Sequence, residues 1–83
     1  TISVFYGIRI TMNYNDHSPP HFHAEYQEYE VTVDIANGAI TGTMPRRALA
    51  LIWDWLDEHQ VELQENWERA RAREALRAID PLR

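Results

Sequence analysis

The sequence predicts an α+β domain: an antiparallel sheet of about four strands, with one long amphipathic helix, straight or broken, packed on one of its faces. Three observations carry this. Residues 3–44 alternate apolar and polar side chains, the pattern of half-buried strands. Asn37-Gly38 is a strong hairpin signal, because both residues accept positive φ. From Arg46 to Arg73 there is neither Gly nor Pro, and apolar residues recur three and four apart. A length of 83 residues fits a single domain, divided into sheet (1–44), helical region (45–73) and tail (74–83).

Residues 3–14 read as one strand. Val4, Tyr6, Ile8, Ile10, Met12 and Tyr14 fall on its apolar face, and Phe5, Arg9, Thr11 and Asn13 on the other. Asn15-Asp16-His17-Ser18-Pro19-Pro20 then ends it, since consecutive prolines remove two backbone donors. Residues 21–26 and 29–35 alternate again. A fold at Gln27-Glu28 sets Tyr26 opposite Tyr29, Phe22 opposite Val33 and His21 opposite Asp34. Gln-Glu is a poor two-residue turn, so a wider symmetric loop would serve equally. A fold at Asn37-Gly38 sets Ile35 opposite Ile40 and Asp34 opposite Thr41. Both registers place apolar beside apolar, as a buried face requires.

Pro45 suits the first helical position. Leu49, Ile52, Leu56, His59, Leu63, Trp67 and Ala70 form one stripe, flanked by Trp53. A straight helix of about 27 residues would run roughly 40 Å. A compact domain of this size is only about 30 Å across, with a radius of gyration near 12 Å. The helix therefore bends near Glu58-His59-Gln60 or overhangs. An overhang would expose Leu63 and Trp67 as an interface for a partner protein or a second copy. In the tail, Leu76, Ile79 and Leu82 are placed to pack back.

Composition narrows the function classes. There are 8 Arg, no Lys, 13 acidic residues and a net charge of −5. That argues against a broad nucleic-acid surface and leaves direct nucleic-acid binding unexpected. Zero Cys removes disulfides, zinc ribbons and a thiol nucleophile, and fits a reducing, cytoplasmic setting. No stretch approaches the roughly 18 apolar residues of a membrane span. The first residues lack the basic-then-apolar pattern of a signal peptide.

The unusual segment is Asp16–Glu25. His21, His23 and Glu25 share one strand face, and imidazole with carboxylate suits Zn²⁺, Ni²⁺, Mn²⁺ or Fe²⁺. His17 or Asp16, from the proline loop, would complete the set, and Asp34 across the strand would orient His21. Without metal, His21 and His23 would be a catalytic acid and base. The plain alternative is a solvated polar face. Arg46 and Arg47 oppose the helix dipole and have no acid four residues on, so they meet an anion or partner, or stay solvated. His59 and the three tryptophans read as core or interface residues.

Phe5-Tyr6-Gly7-Ile8, the run Asn15–Tyr26, Pro45-Arg46-Arg47-Ala48-Leu49 and Asn66-Trp67-Glu68 together resemble the bacterial domain-of-unknown-function family numbered 4160. The resemblance spans nearly the whole chain, and Asp-His-x-Pro-Pro-His-Phe-His is its most specific element. It implies an intracellular bacterial protein, encoded in toxin–antitoxin-like gene pairs, with a protein partner. It implies no reaction. Two expectations follow. The first is a protein-interaction module of a two-gene regulatory pair. The second is a metal-dependent or His-based hydrolase, such as a nuclease, built on His17, His21 and His23, with Arg46 and Arg47 steering a phosphate.

Overall fold

The computed structural model describes all 83 residues. Five strands and one helix follow in order: β1 (Ser3–Phe5), β2 (Ile8–Thr11), β3 (His21–Tyr26), β4 (Tyr29–Asp34), β5 (Ile40–Thr43) and α1 (Arg46–Arg71). The strands form one antiparallel meander in the order β1-β2-β3-β4-β5. The sheet thus has five strands, not about four. The expected strand over 3–14 is a hairpin: Tyr6 and Gly7 take φ of 51° and 79°, and Phe5 pairs with Ile8. Two positive φ values are what a tight hairpin turn demands. Reversing the chain there changes which residues are inside. Ile2 and Phe5 are buried, while Val4 and Tyr6 are exposed.

The β3–β4 register matches the sequence reading, with Tyr26 opposite Tyr29, Phe22 opposite Val33 and His21 opposite Asp34. The turn is the two-residue Gln27-Glu28, with Gln27 at φ 54°. The β4–β5 register differs: Val33, not Ile35, faces Ile40, and Thr32 faces Thr41. Asp34 explains the shift. Its Oδ1 accepts the amides of Ala36 and Asn37, which opens a wider loop. Ile35 stays in the core and donates its amide to the Pro20 carbonyl. A slip of two residues keeps every side chain on its own face.

Helix α1 bends instead of overhanging. His59 has φ −126°, outside the helical range, with its Nδ1 2.6 Å from Glu62. Gln60 donates to the carbonyls of Ile35 and Ala36 beside the bend, tying α1 to the β4–β5 loop. The domain measures 33 × 24 × 22 Å, shorter than the unbent helix would be. Its core joins Ile8, Phe22 and Val33 of the sheet to Ile52, Trp55, Leu63 and Trp67 of the helix. Trp55 meets Phe5 and Phe22 at ring-centroid distances of 5.3 and 5.7 Å. Since the bend folds the second half of α1 back onto the sheet, Leu63 and Trp67 lie in the chain's own interior, 0% and 2% exposed. They do not form the exposed interface that an overhang would create.

The helix ends in a Schellman motif. Glu74 donates to the Arg69 carbonyl and Arg73 to that of Ala70, with Arg73 left-handed at φ 59°. The tail then returns. Asn66, 1% exposed, bonds both the amide and the carbonyl of Arg77. The indole of Trp55 donates to the Asp80 carbonyl, and Ile79 donates to the Ile2 carbonyl just before β1. Ile79 is buried, with Leu76 and Leu82 against the core. No helix is long and apolar enough to cross a membrane.

Candidate metal centre

Strand β3 is the middle of the sheet, so its residues are the most firmly held. Phe22 and Ala24 point into the core, which forces His21 and His23 onto the opposite face, where they are half-buried. Thr11 and Thr32 flank His23 on the two sides, and Asp34 lies across from His21. The loop between β2 and β3 then brings Asp16 over the pair. One carboxylate oxygen, Oδ2, lies 3.1 Å from His21 Nε2 and 2.9 Å from His23 Nε2. All three ligand atoms fall within 4.8 Å of one another. The side chains are 19%, 19% and 24% exposed, buried enough to strengthen charge interactions yet open to a small ligand.

The hydrogen bonds define what this cluster can hold. His21 Nδ1 is 2.9 Å from the Pro19 carbonyl. A carbonyl only accepts, so Nδ1 carries the proton. In the neutral imidazole Nε2 is then a bare lone pair, and it faces a carboxylate oxygen. Two lone pairs at that distance repel. The arrangement is relieved by a positive charge: a proton on His21 Nε2 or a cation between the rings and Asp16. Fixing the ring through Nδ1–H is also how metal-bound histidines are oriented. The Asn13 amide sits 3.3 Å from His23 Nε2. The His21 ring lies 5.3 Å from the indole of Trp67 and 5.2 Å from the His23 ring, so packing limits its rotation. Burial alone would raise the Asp16 carboxyl. The hydrogen bond from His23 and the charges of His21 and His23 outweigh it and hold Asp16 below the usual carboxylate range.

The other expected site residues lie elsewhere. His17 is exposed beside the cluster and contributes no ligand atom; the loop turns Asp16 inward in its place. Glu25 is two residues beyond His23, about 7 Å along the strand, and pairs with Arg9 across β2. The hydrogen bond from Arg9 keeps the Glu25 carboxyl below its ordinary range. Asp34 spends Oδ1 on the loop amides, so the Pro19 carbonyl orients His21 in its place. Arg46 and Arg47 are exposed and without carboxylate partners. Arg47 borders a cleft with Tyr6, Tyr26 and Tyr29, at the far end of β3 from His21. His59 is part of the helix bend, against Trp55 and Glu62. Trp55 and Trp67 are core, while Trp53 is 42% exposed and donates to the Gly38 carbonyl.

The fold and site together define a small α+β domain carrying a histidine pair on its central strand and a carboxylate above it. The family model for the domain of unknown function DUF4160 matches residues 7–68, a span that contains the whole cluster, and the chain belongs to that family. No curated protein and no solved structure matches the chain.

Proposed function

We propose that this chain is a metal-dependent hydrolase-type domain that binds one divalent transition metal, Zn²⁺, Ni²⁺ or Mn²⁺, through Asp16, His21 and His23. One observation carries the reading: Nε2 of His21 and Nε2 of His23 converge on a single Asp16 carboxylate oxygen, at 3.1 and 2.9 Å, with the three ligand atoms within 4.8 Å of one another. Two imidazoles and one carboxylate match the three-ligand sets of catalytic metals, whereas structural zinc sites are closed by four protein ligands. A metal there would supply an acidified water as nucleophile. Metal-free acid–base work fits less well. Both Nε2 atoms converge on one oxygen, where an acid and a base would stand on either side of the bond to be cleaved.

Titration with Zn²⁺, Ni²⁺ and Mn²⁺, followed by calorimetry and elemental analysis, tests this. One equivalent should bind the wild type, and His21→Ala or His23→Ala should lose it, while His17→Ala keeps it. Ni²⁺ should also quench Trp67, the indole beside His21. Binding that ignores both His21→Ala and His23→Ala would sink the reading. The alternative, an interaction module of a toxin–antitoxin-like pair, would have to use a surface other than Leu63 and Trp67, which lie inside the core. Light scattering of the chain alone and with its neighbouring gene product checks it.

A further inference from the structure

Beside His21 this face of the sheet dips into a cavity of about 200 Å³, walled by Pro19, His21, Thr32, Asp34, Ala39 and Thr41. It shares the His21 wall with the metal cluster, while Asp16 and His23 stand outside its lining. Thr32 and Thr41 are a cross-strand pair whose hydroxyls can donate or accept. Asp34 supplies the charge. Both amides that cap it use Oδ1, leaving Oδ2 without a protein donor.

The surroundings decide the sign of the ligand. Asp16, Glu25, Glu30 and Asp34 lie on or over this face of β3 and β4, against one strand arginine, Arg9, which is already paired with Glu25. Arg47 borders the cleft at the opposite end of β3, and neither it nor Arg46 lines this cavity. The ion itself would draw an anionic group, but in the cavity beside it an anion would meet Asp34 without a compensating guanidinium. We propose that this cavity is the substrate subsite of the centre and that it takes a small polar group bearing positive charge, such as a primary ammonium, with the bond to be hydrolysed held toward His21. This rests on the metal reading above. It replaces a phosphodiester with a cationic substrate class.

Three hydroxamates of equal chain length test it on the zinc-loaded protein. They share the metal-binding head and differ only in the tail: β-alanine hydroxamate (ammonium), butyrohydroxamate (methyl) and succinate monohydroxamate (carboxylate). Exposed charge pairs contribute modestly, so the ammonium compound should bind about tenfold tighter than the carboxylate one at low salt. The preference should shrink as salt screens it. Asp34→Asn keeps the Oδ1 acceptor that caps the loop, so it should bind zinc as wild type does and lose most of the preference. If zinc itself does not bind, the metal reading fails and the subsite falls with it. If zinc binds but the carboxylate tail binds as tightly as the ammonium, the subsite proposal alone is overturned. A preference that survives Asp34→Asn also overturns it, because the selectivity then arises elsewhere.

Discussion

Asn66→Ala probes the contact on which the return of the tail depends. The Asn66 amide is 1% exposed and makes two hydrogen bonds of 2.9 Å, one to each polar group of the Arg77 peptide backbone. Truncation leaves a buried donor and a buried acceptor unpaired. Each such group costs about 1–3 kcal/mol, so the upper figure is about 6 kcal/mol. The tail has an escape, because it can lift off and hydrate Arg77. That would forfeit the burial of Ile79, worth about 1.5–3 kcal/mol, and part of that of Leu76 and Leu82. The escape route caps the loss, and we expect about 2–4 kcal/mol. A domain of this length is stable by about 4–12 kcal/mol in all, so the change is large. Urea unfolding followed by tryptophan fluorescence reads it, since the Trp55 indole donates to Asp80 of the same tail. A lower m-value would show that the tail has lifted in the native state. Asn66→Asp adds a control. Its carboxylate cannot donate to the Arg77 carbonyl, so it should be less stable at pH 7 than when protonated at low pH. An alanine variant within about 0.5 kcal/mol of wild type, with unchanged m, would refute the reasoning.

Three further outcomes are expected. Gly42→Ala should lower stability by about 3 kcal/mol, read as a Tm drop of more than about 10 °C, because Gly42 has φ 112° and a Cβ there would lie 2.6 Å from the Glu30 carbonyl oxygen. Arg73→Gly should raise stability by about 0.5–1 kcal/mol in the same melt, since Arg73 holds a left-handed conformation that costs a residue with a Cβ about 1–2 kcal/mol. Asp16→Asn in the metal-free protein should lose about 1 kcal/mol at neutral pH. The Asp16 carboxyl is held below its ordinary pKa, so its contribution is present above the unfolded value and disappears as pH falls through the folded one. The gap between variant and wild type should therefore close in acid, and a gap that widens there would contradict the assignment.

Most of the architecture was legible in the residues, and the misses have physical causes. Alternation and the Gly-free stripe locate sheet and helix. Comparing helix length with domain size leaves a bend near Glu58-His59-Gln60 or an overhang, and the chain takes the bend, at His59. Alternation is blind to a two-residue turn, however. Tyr6-Gly7 interrupts an unbroken apolar–polar pattern, and only the glycine hinted that the chain reverses there. The β4–β5 register slipped because Asp34, a strand residue by pattern, is also the cap that widens the loop. At the site, strand periodicity placed His21 and His23 together on the polar face. It could not choose between Asp16 and His17, because loop residues obey no period. Nor could it find Pro19, which acts through its backbone carbonyl and carries no side-chain signature. Glu25 shared the face but had a nearer claim on Arg9, visible only once β2 was laid beside β3.

The cluster's three side chains sit on supports of unequal firmness. His23 rides on a strand bonded to neighbours on both sides, whereas Asp16 hangs from a loop outside any ladder. Amides of a central strand exchange with solvent only when the whole domain opens, while loop amides exchange by local excursions. Asp16 can therefore swing away and return while the two imidazoles keep their places. The time a bound ion stays would then follow the frequency of that loop movement, and the ion's position would be fixed by the strand.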